Sequence, residues 1–320
     1  MDIHALPSDV IAAFAPAKLN LYFEVLSRRP DGFHEIETLM TPVDFGDELR
    51  VRSRSSGAIR LECQWDRRVA REARYWKSPR EQSSGPGPLP DSQHNLVYRA
   101  LVALRATAGI ELGADVELIK RIPLEAGLAG GSSDAAAALA AANVAWGLHW
   151  PVERLAEVAA RVGSDTPFFL GAGRGRRRLA AICRGRGERI ESICALPTQW
   201  TVIVKPAAGL ATADVYRRCR PMADAQRSSE RTERLARALC AGDRRASMRL
   251  VGNRLEEAAE QLSPWPGRLR GAFARCDCAP AQMSGSGTSY FGLARHRRHA
   301  RRVARRLAAE RLGAVFVART

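Results

Sequence analysis

The stretch IPLEAGLAGGSSDAAAALAAAN, from Ile122 to Asn143, constrains this chain more than any other. Glycines at 127, 130 and 131 permit backbone geometry and close approach that a Cβ obstructs. Ser132, Ser133 and Asp134 are favoured where a helix starts, and the alanines after them form a strong helix with little side-chain bulk. Two readings meet here. One is a helix whose small residues let it pack tightly against a sheet. The other is an anion site, made by exposed N–H groups and the positive end of the helix dipole. Serine hydroxyls add hydrogen bonds to phosphate or a ligand position for Mg²⁺. The stretch is not a Walker A loop, because no lysine precedes the serine. Its glycine spacing also differs from the dinucleotide fingerprint.

At 320 residues and 46% hydrophobic content, the chain can form two ordinary domains, or one large one, around a real core. No run approaches eighteen apolar residues, and the start, MDIHALPSDVIAAFAPAKLN, lacks a basic region followed by an apolar block. A cytoplasmic protein with no membrane partner is expected. The cysteines at 63, 183, 194, 219, 240, 276 and 278 are odd in number and show no repeated pairing. They read as reduced thiols rather than as a disulfide framework. Cys276 and Cys278 have no second Cys or His pair at matching spacing, which argues against zinc.

A net charge of +16 suggests a polyanionic partner. Yet only Lys18, Lys77, Lys120 and Lys205 are lysine, so arginine fills the generic surface positions. The densest run, Arg295 to Gly313, has helical spacing with Val303, Leu307 and Leu312 near one face. A solvated amphipathic helix is favoured there over a nucleic-acid surface. The sequence sets no oligomeric state.

Along the chain, FAPAKLNLYFEVL reads as strand with a turn at Pro16, followed by a turn at Asp31–Gly32 and strands broken at Gly46. Residues 65–93 are charged, then rich in Ser, Gly and Pro, and read as an inserted surface excursion. A helix follows, with Asn95 as N-cap and Gly109 as its stop. ADVELIKRIP is a strand entering the glycine loop, and VERLAEVAARVG is a helix before SDTPFFLGAG. The second half has a strand at QWTVIVKP, polar helices across 222–262, a second Gly-Ser turn in MSGSGTSYFGL, the arginine-rich helix and a final strand. The irregular alternation favours an α+β fold with two domains over a doubly wound sheet.

Three pieces add chemistry to the loop. Lys18 lies two residues from Asn20 in a strand and therefore on the same face. Asp165 stands between a helix and two phenylalanines, as a cap or as a functional acid. The second Gly-Ser turn either brings N–H groups towards an anion or simply precedes a strand.

With PAKLNLYFEVLSRRPDGFHEIETLM, NLVYRA, IPLEAGLAGGSSDAAAAL, GSDTPFF, GRGE at 185–188, KPAAGLATADVY and SGSGT in this order, the chain resembles the GHMP kinase superfamily. Within it, PAKLNL together with RRPDGFHEIETLM narrows the resemblance to the family of 4-diphosphocytidyl-2-C-methyl-D-erythritol kinases. The resemblance implies a ribosomal-protein-like N-terminal domain, residues 1–195 with the 65–93 insertion, and a ferredoxin-like C-terminal domain, residues 196–320. It also implies an ATP-dependent phosphotransferase of non-mevalonate isoprenoid biosynthesis, with Mg²⁺ as cofactor. The γ-phosphate would pass to the 2-hydroxyl of the diphosphocytidyl methylerythritol.

Carried over by motif, Asp165 takes or orients the hydroxyl proton and Lys18 stabilises developing charge. Pro123, Leu124, Glu125, Ala126, Gly127, Leu128, Ala129, Gly130, Gly131, Ser132 and Ser133 cradle the ATP phosphates, with Lys120 and Asn95 near the nucleotide. Phe33 and His34 hold the cytosine, Tyr216 covers its other face, and Thr212 and Asn20 lie nearby. No residue is assigned to the metal. The chain departs from the family at Phe33, where tyrosine is frequent, in the length of 65–93, and in the extra arginines of 172–184. A sibling kinase for mevalonate, homoserine or a sugar gives no reason for DGFHEIET. A basic RNA-binding protein explains the charge but leaves Lys18 and Asp165 without purpose.

Overall fold

The computed structural model describes residues 2–73, 88–91, 93–171, 179–222 and 224–320. The first sheet is built on one long antiparallel pair. β1 (Ile3–Leu6) leads to β2 (Val10–Arg28), which pairs with β3 (His34–Arg54) across the Asp31–Gly32 turn. In that turn Asp31 Oδ1 accepts the Phe33 N–H at 3.1 Å.

Pro16 makes no turn and Gly46 breaks no strand. The two residues face each other across the β2–β3 ladder, and the register shifts between Pro16 and Lys18. Proline donates no N–H to the ladder, so the pair absorbs it as a bulge. Glycine is required opposite, because a Cβ on Gly46 would meet the Ala15 carbonyl oxygen at 2.3 Å.

β4 (Ile59–Trp65) precedes a short helix, α1 (Arg67–Ala73), which lies in the expected insertion. Residues 74–87 of that insertion lie outside the described residues. In α2 (Leu96–Ala108), Asn95 accepts the Val97 N–H and Gly109 closes the helix in the left-handed region. β5 (Gly113–Lys120) enters the glycine loop, and α3 (Gly130–Ala145) leaves it. Ser132 and Ser133 fall inside the first turn of α3 and Asp134 just beyond it, rather than capping it. The cap position is Ala129, which has no side chain to bond an N–H. The run from Ser133 to Leu139 is buried throughout, so α3 is enclosed on nearly every side.

α4 (Val152–Val162) buries Leu155, Val158, Ala159 and Val162, spaced as one helical face. α5 (Thr166–Gly171), β6 (Leu179–Gly185) and β7 (Arg189–Ala195) follow. The sheet runs β1-β2-β3-β5-β4, with β6 and β7 extending from β3. The looser match between 172 and 184 falls largely on residues 172–178, outside the described residues.

The second sheet starts with β8 (Trp200–Lys205). Helices α6 (Thr212–Arg218), α7 (Ala225–Cys240) and α8 (Arg244–Leu250) come next. The two-residue strand β9 (Gly252–Asn253) returns to pair in parallel with β2 of the first sheet. After α9 (Leu255–Leu262) and α10 (Trp265–Arg275), β10 (Ala281–Met283) and β11 (Tyr290–Ala294) flank the second Gly-Ser loop. The arginine-rich α11 (Arg297–Ala309) buries Ala300, Val303 and Leu307 and exposes its charged face. β12 (Ala314–Arg319) completes the antiparallel order β10-β11-β8-β12. Among the described residues, no helix is long and apolar enough to cross a membrane.

The expectation of reduced thiols fails at two cysteines. Cys194, in β7, and Cys240, ending α7, form a disulfide across 46 residues. No spacing pattern announces this pair. The packing of α7 against β7 brings the two sulfurs together. The other five cysteines are free.

Candidate active site

The glycine loop lies on β2 and beside the second Gly-Ser loop. Lys18 N–H donates to the Leu128 carbonyl at 3.1 Å, and Ser289 N–H donates to the Ala126 carbonyl at 3.0 Å. Ser284 Oγ donates to the Gly127 carbonyl at 3.0 Å. At φ +70°, Gly127 also stands so close to the second loop that a Cβ would meet the Ser284 carbonyl oxygen at 2.2 Å. Only glycine satisfies both the dihedral and the approach.

Two cavities open along this seam. The inner one, about 600 Å³, is lined by Lys18, Asn20, Lys120, Asp165, the loop from Pro123 to Ser132 except Leu128, and Gly285–Gly287. The outer one, about 860 Å³, is lined by Phe33, His34, Thr212, Tyr216 and three arginines, Arg28, Arg186 and Arg217. Ile36, Arg186, Thr212 and Tyr216 line both, so the cavities form one groove.

Inside the groove, Lys18 and Asn20 share the face expected from strand alternation. Lys18 Nζ donates to Asn20 Oδ1 at 2.6 Å, and Asn20 Nδ2 donates to Thr38 Oγ1 at 2.8 Å. Lys18 Nζ also lies 3.8 Å from Asp165 Oδ2. Burial pushes the Lys18 ammonium below its ordinary lysine value, and the Asp165 carboxylate opposes that fall. The Asp165 side chain is 33% exposed, so a ligand in the groove can reach it. Burial raises the Cys183 thiol, Asp165 adds to the effect, and the sulfur stays protonated.

At the outer end, the Phe33 ring is 52% exposed, and the rings of His34 and Tyr216 lie 5.0 Å apart. Burial, then the charge of Arg28, pushes the His34 imidazole below its ordinary value. Burial, then the charge of Asp165, raises the Tyr216 phenol. Thr212 Oγ1 lies 3.0 Å from Ser286 Oγ, linking α6 to the second loop.

Four expected nucleotide residues are buried within the protein. Asn95 is buried and its Oδ1 is taken up as the α2 cap. Leu128 is buried behind the loop, and the buried Ser133 Oγ has no hydrogen-bond partner among the described residues. Lys120 reaches the cavity wall, but its buried ammonium donates to Asp47 and, at 2.6 Å, to Asp134. Desolvation lowers its proton affinity, yet the two carboxylates overcome this and raise it. Burial keeps Asp134 well above the ordinary carboxylate range, against the pull of Lys120. Asp47 Oδ1 further accepts the Ile122 N–H at 2.8 Å. This cluster ties β3, β5 and α3 together beneath the glycine loop. Asp47 carried no signal in the sequence beyond its residue type, and Arg186 appeared there only as part of the GRGE motif.

Residues 95–173 match the description of the GHMP kinases N terminal domain, and residues 235–312 that of the GHMP kinases C terminal domain. A 4-diphosphocytidyl-2-C-methyl-D-erythritol kinase of Pelotomaculum thermopropionicum is 37% identical over 93% of both chains. The chain belongs to this family of GHMP kinases. A second kinase of the same description, from Exiguobacterium sibiricum, is 35% identical over 90% of this chain and 91% of its own. Among solved structures, a 4-(cytidine 5'-diphospho)-2C-methyl-D-erythritol kinase superposes with a TM-score of 0.74 at 33% identity, covering 96% of this chain and 98% of that one. A homoserine kinase from Cytophaga hutchinsonii superposes with a TM-score of 0.72 over 98% of this chain and 96% of that one. At 21% identity that likeness concerns the fold alone. The chain is thus a phosphotransferase with the two-domain α+β GHMP kinase fold.

Proposed function

We propose that this kinase transfers the γ-phosphoryl group of ATP to the 2-hydroxyl of 4-diphosphocytidyl-2-C-methyl-D-erythritol. The continuous groove carries the reading, with a bare loop at one end, the aromatic rings of Phe33, His34 and Tyr216 at the other, and Lys18 with Asp165 between them. The names of the relatives at 35–37% identity point to the same substrate.

In this mechanism the backbone N–H groups from Gly127 to Ser132 and the start of α3 hold the triphosphate. Asp165 accepts the proton of the attacking hydroxyl. Lys18, fixed by Asn20, stabilises the charge that develops. Phe33 and Tyr216 stack on the cytosine, and His34 hydrogen-bonds it.

The described residues contain no group of three His, Cys, Asp or Glu side chains able to cage a metal. Serine and carboxylate oxygens at Ser132 and Glu125 do line the phosphate end, a donor set that fits Mg²⁺ held mainly by phosphates and water. Bound there, the ion neutralises phosphate charge. Residues 1–195 and 196–320 form the two domains in this reading, with the separate sheets as support and β9, among the described residues, as the strand that crosses.

A coupled ADP-release assay comparing the diphosphocytidyl substrate with mevalonate and homoserine tests the proposal. ADP release with the first alone is expected. None from folded protein overturns it.

A further inference from the structure

Arg186 stands where the two cavities meet. Of the three arginines in the outer cavity it alone also lines the inner one. Arg217 is paired with Asp214 at 2.8 Å, and Arg28 is exposed at the outer rim. Arg186 forms no ion pair among the described residues and is half-buried, with its guanidinium 4.9 Å from the centroid of the Phe33 ring.

The turn that carries Arg186 is held from behind. Glu188 folds back so that its Oε2 accepts the Arg186 N–H at 2.6 Å, which occupies the neighbouring carboxylate with backbone. The next residue passes close to the reacting centre, since a Cβ on Gly187 would sit 3.6 Å from Asp165 Oδ1. A cationic fork is therefore set between the exposed aromatic ring and the carboxylate that faces the acceptor hydroxyl.

The geometry points to Arg186 as the residue that binds the diphosphate of the acceptor substrate. This inference rests on the substrate reading above. A ligand with its base at Phe33 and its hydroxyl at Asp165 must lay whatever joins them across Arg186. A guanidinium matches phosphate oxygens with two parallel N–H donors, while stacking on a ring holds its plane. The unpaired charge would thus select acceptors that carry a diphosphate over neutral nucleosides.

Calorimetric titration of cytidine, cytidine diphosphate and ATP into the wild type, Arg186→Ala and Arg186→Lys tests this, with thermal melts to verify folding. In Arg186→Ala, cytidine diphosphate should bind about ten- to a hundredfold more weakly, while cytidine and ATP change by less than about threefold. Arg186→Lys should recover part of the loss, because it keeps the charge without the fork. Equal weakening of cytidine and cytidine diphosphate overturns the inference, leaving Arg186 as a support for Phe33. Weakening of ATP with cytidine diphosphate unchanged also overturns it, by assigning the charge to the other phosphates. A wild type that binds neither cytidine compound overturns the substrate reading, and the inference with it.

Discussion

Lys18 Nζ, buried in β2, lies 3.8 Å from Oδ2 of Asp165, the residue just before α5. Its nearer partner is Asn20 Oδ1 at 2.6 Å, so the ammonium is held by a neutral amide while facing a reachable carboxylate. Charge is thereby fixed in the cavity that the glycine loop and Asp165 line together. Phosphoryl transfer requires positioning and charge of this kind more than covalent help from the protein.

Replacing Asp165 with Asn removes the proton acceptor and preserves the shape. Turnover should fall by about a hundredfold to ten-thousandfold, with ATP affinity retained. Rate and nucleotide binding measured side by side check this. Near-normal kcat takes Asp165 out of the proton-accepting role.

Phe33→Ala should raise KM for the cytidine substrate by about five- to 150-fold, the equivalent of about 1–3 kcal/mol of base stacking. The ring is largely exposed, so the melting temperature should hold. An unchanged KM places the base elsewhere.

Lys120→Met leaves Asp47 and Asp134 buried without their shared cation. Breaking a buried ion pair on one side costs about 3–5 kcal/mol. Urea unfolding should show a loss of that order, and one below about 1 kcal/mol would mean that the cluster does not brace the loop.

His34 should titrate below the ordinary imidazole value of about 6.5, because burial and then Arg28 disfavour its charged form. The unfolded imidazole takes up its proton first as pH falls. Between the two midpoints the unfolded chain therefore holds more protons, and the His34 contribution to stability declines on acidification. Following the ring resonance by NMR in the wild type and Arg28→Gln gives the test. The midpoint should rise in the variant, and a wild-type value at or above 6.5 contradicts the assignment.

Thiol titration of denatured protein prepared without reductant should count five free cysteines, and seven after reduction. Seven before reduction would mean that Cys194 and Cys240 are not joined in the folded protein.

Much of the architecture was legible because it is written locally. The α2 cap at Asn95, its stop at Gly109, the Asp31–Gly32 turn and the buried face of α11 all follow from residues within a few positions of one another. Local signals misled where a distant strand supplied the missing context. Pro16 signals a turn by itself, but opposite Gly46 it is a bulge in a continuous strand. The serines of the glycine loop resemble caps, but the loop enters α3 through Ala129, three residues before the first serine.

For the site, the sequence by itself determined the inventory: a loop without side-chain bulk, an alanine helix that must be enclosed, and Lys18 with Asn20 on one strand face. These depend on residue type and on the period of a strand or helix. Only the tertiary structure decided that Lys18 meets Asp165, that Lys120 belongs to Asp47 and Asp134, that Cys194 joins Cys240, and that Arg186 stands between two cavities with no ion pair among the described residues. Each depends on the register and packing of elements far apart in the chain, where short-range pattern carries no information and burial sets which charges must find partners.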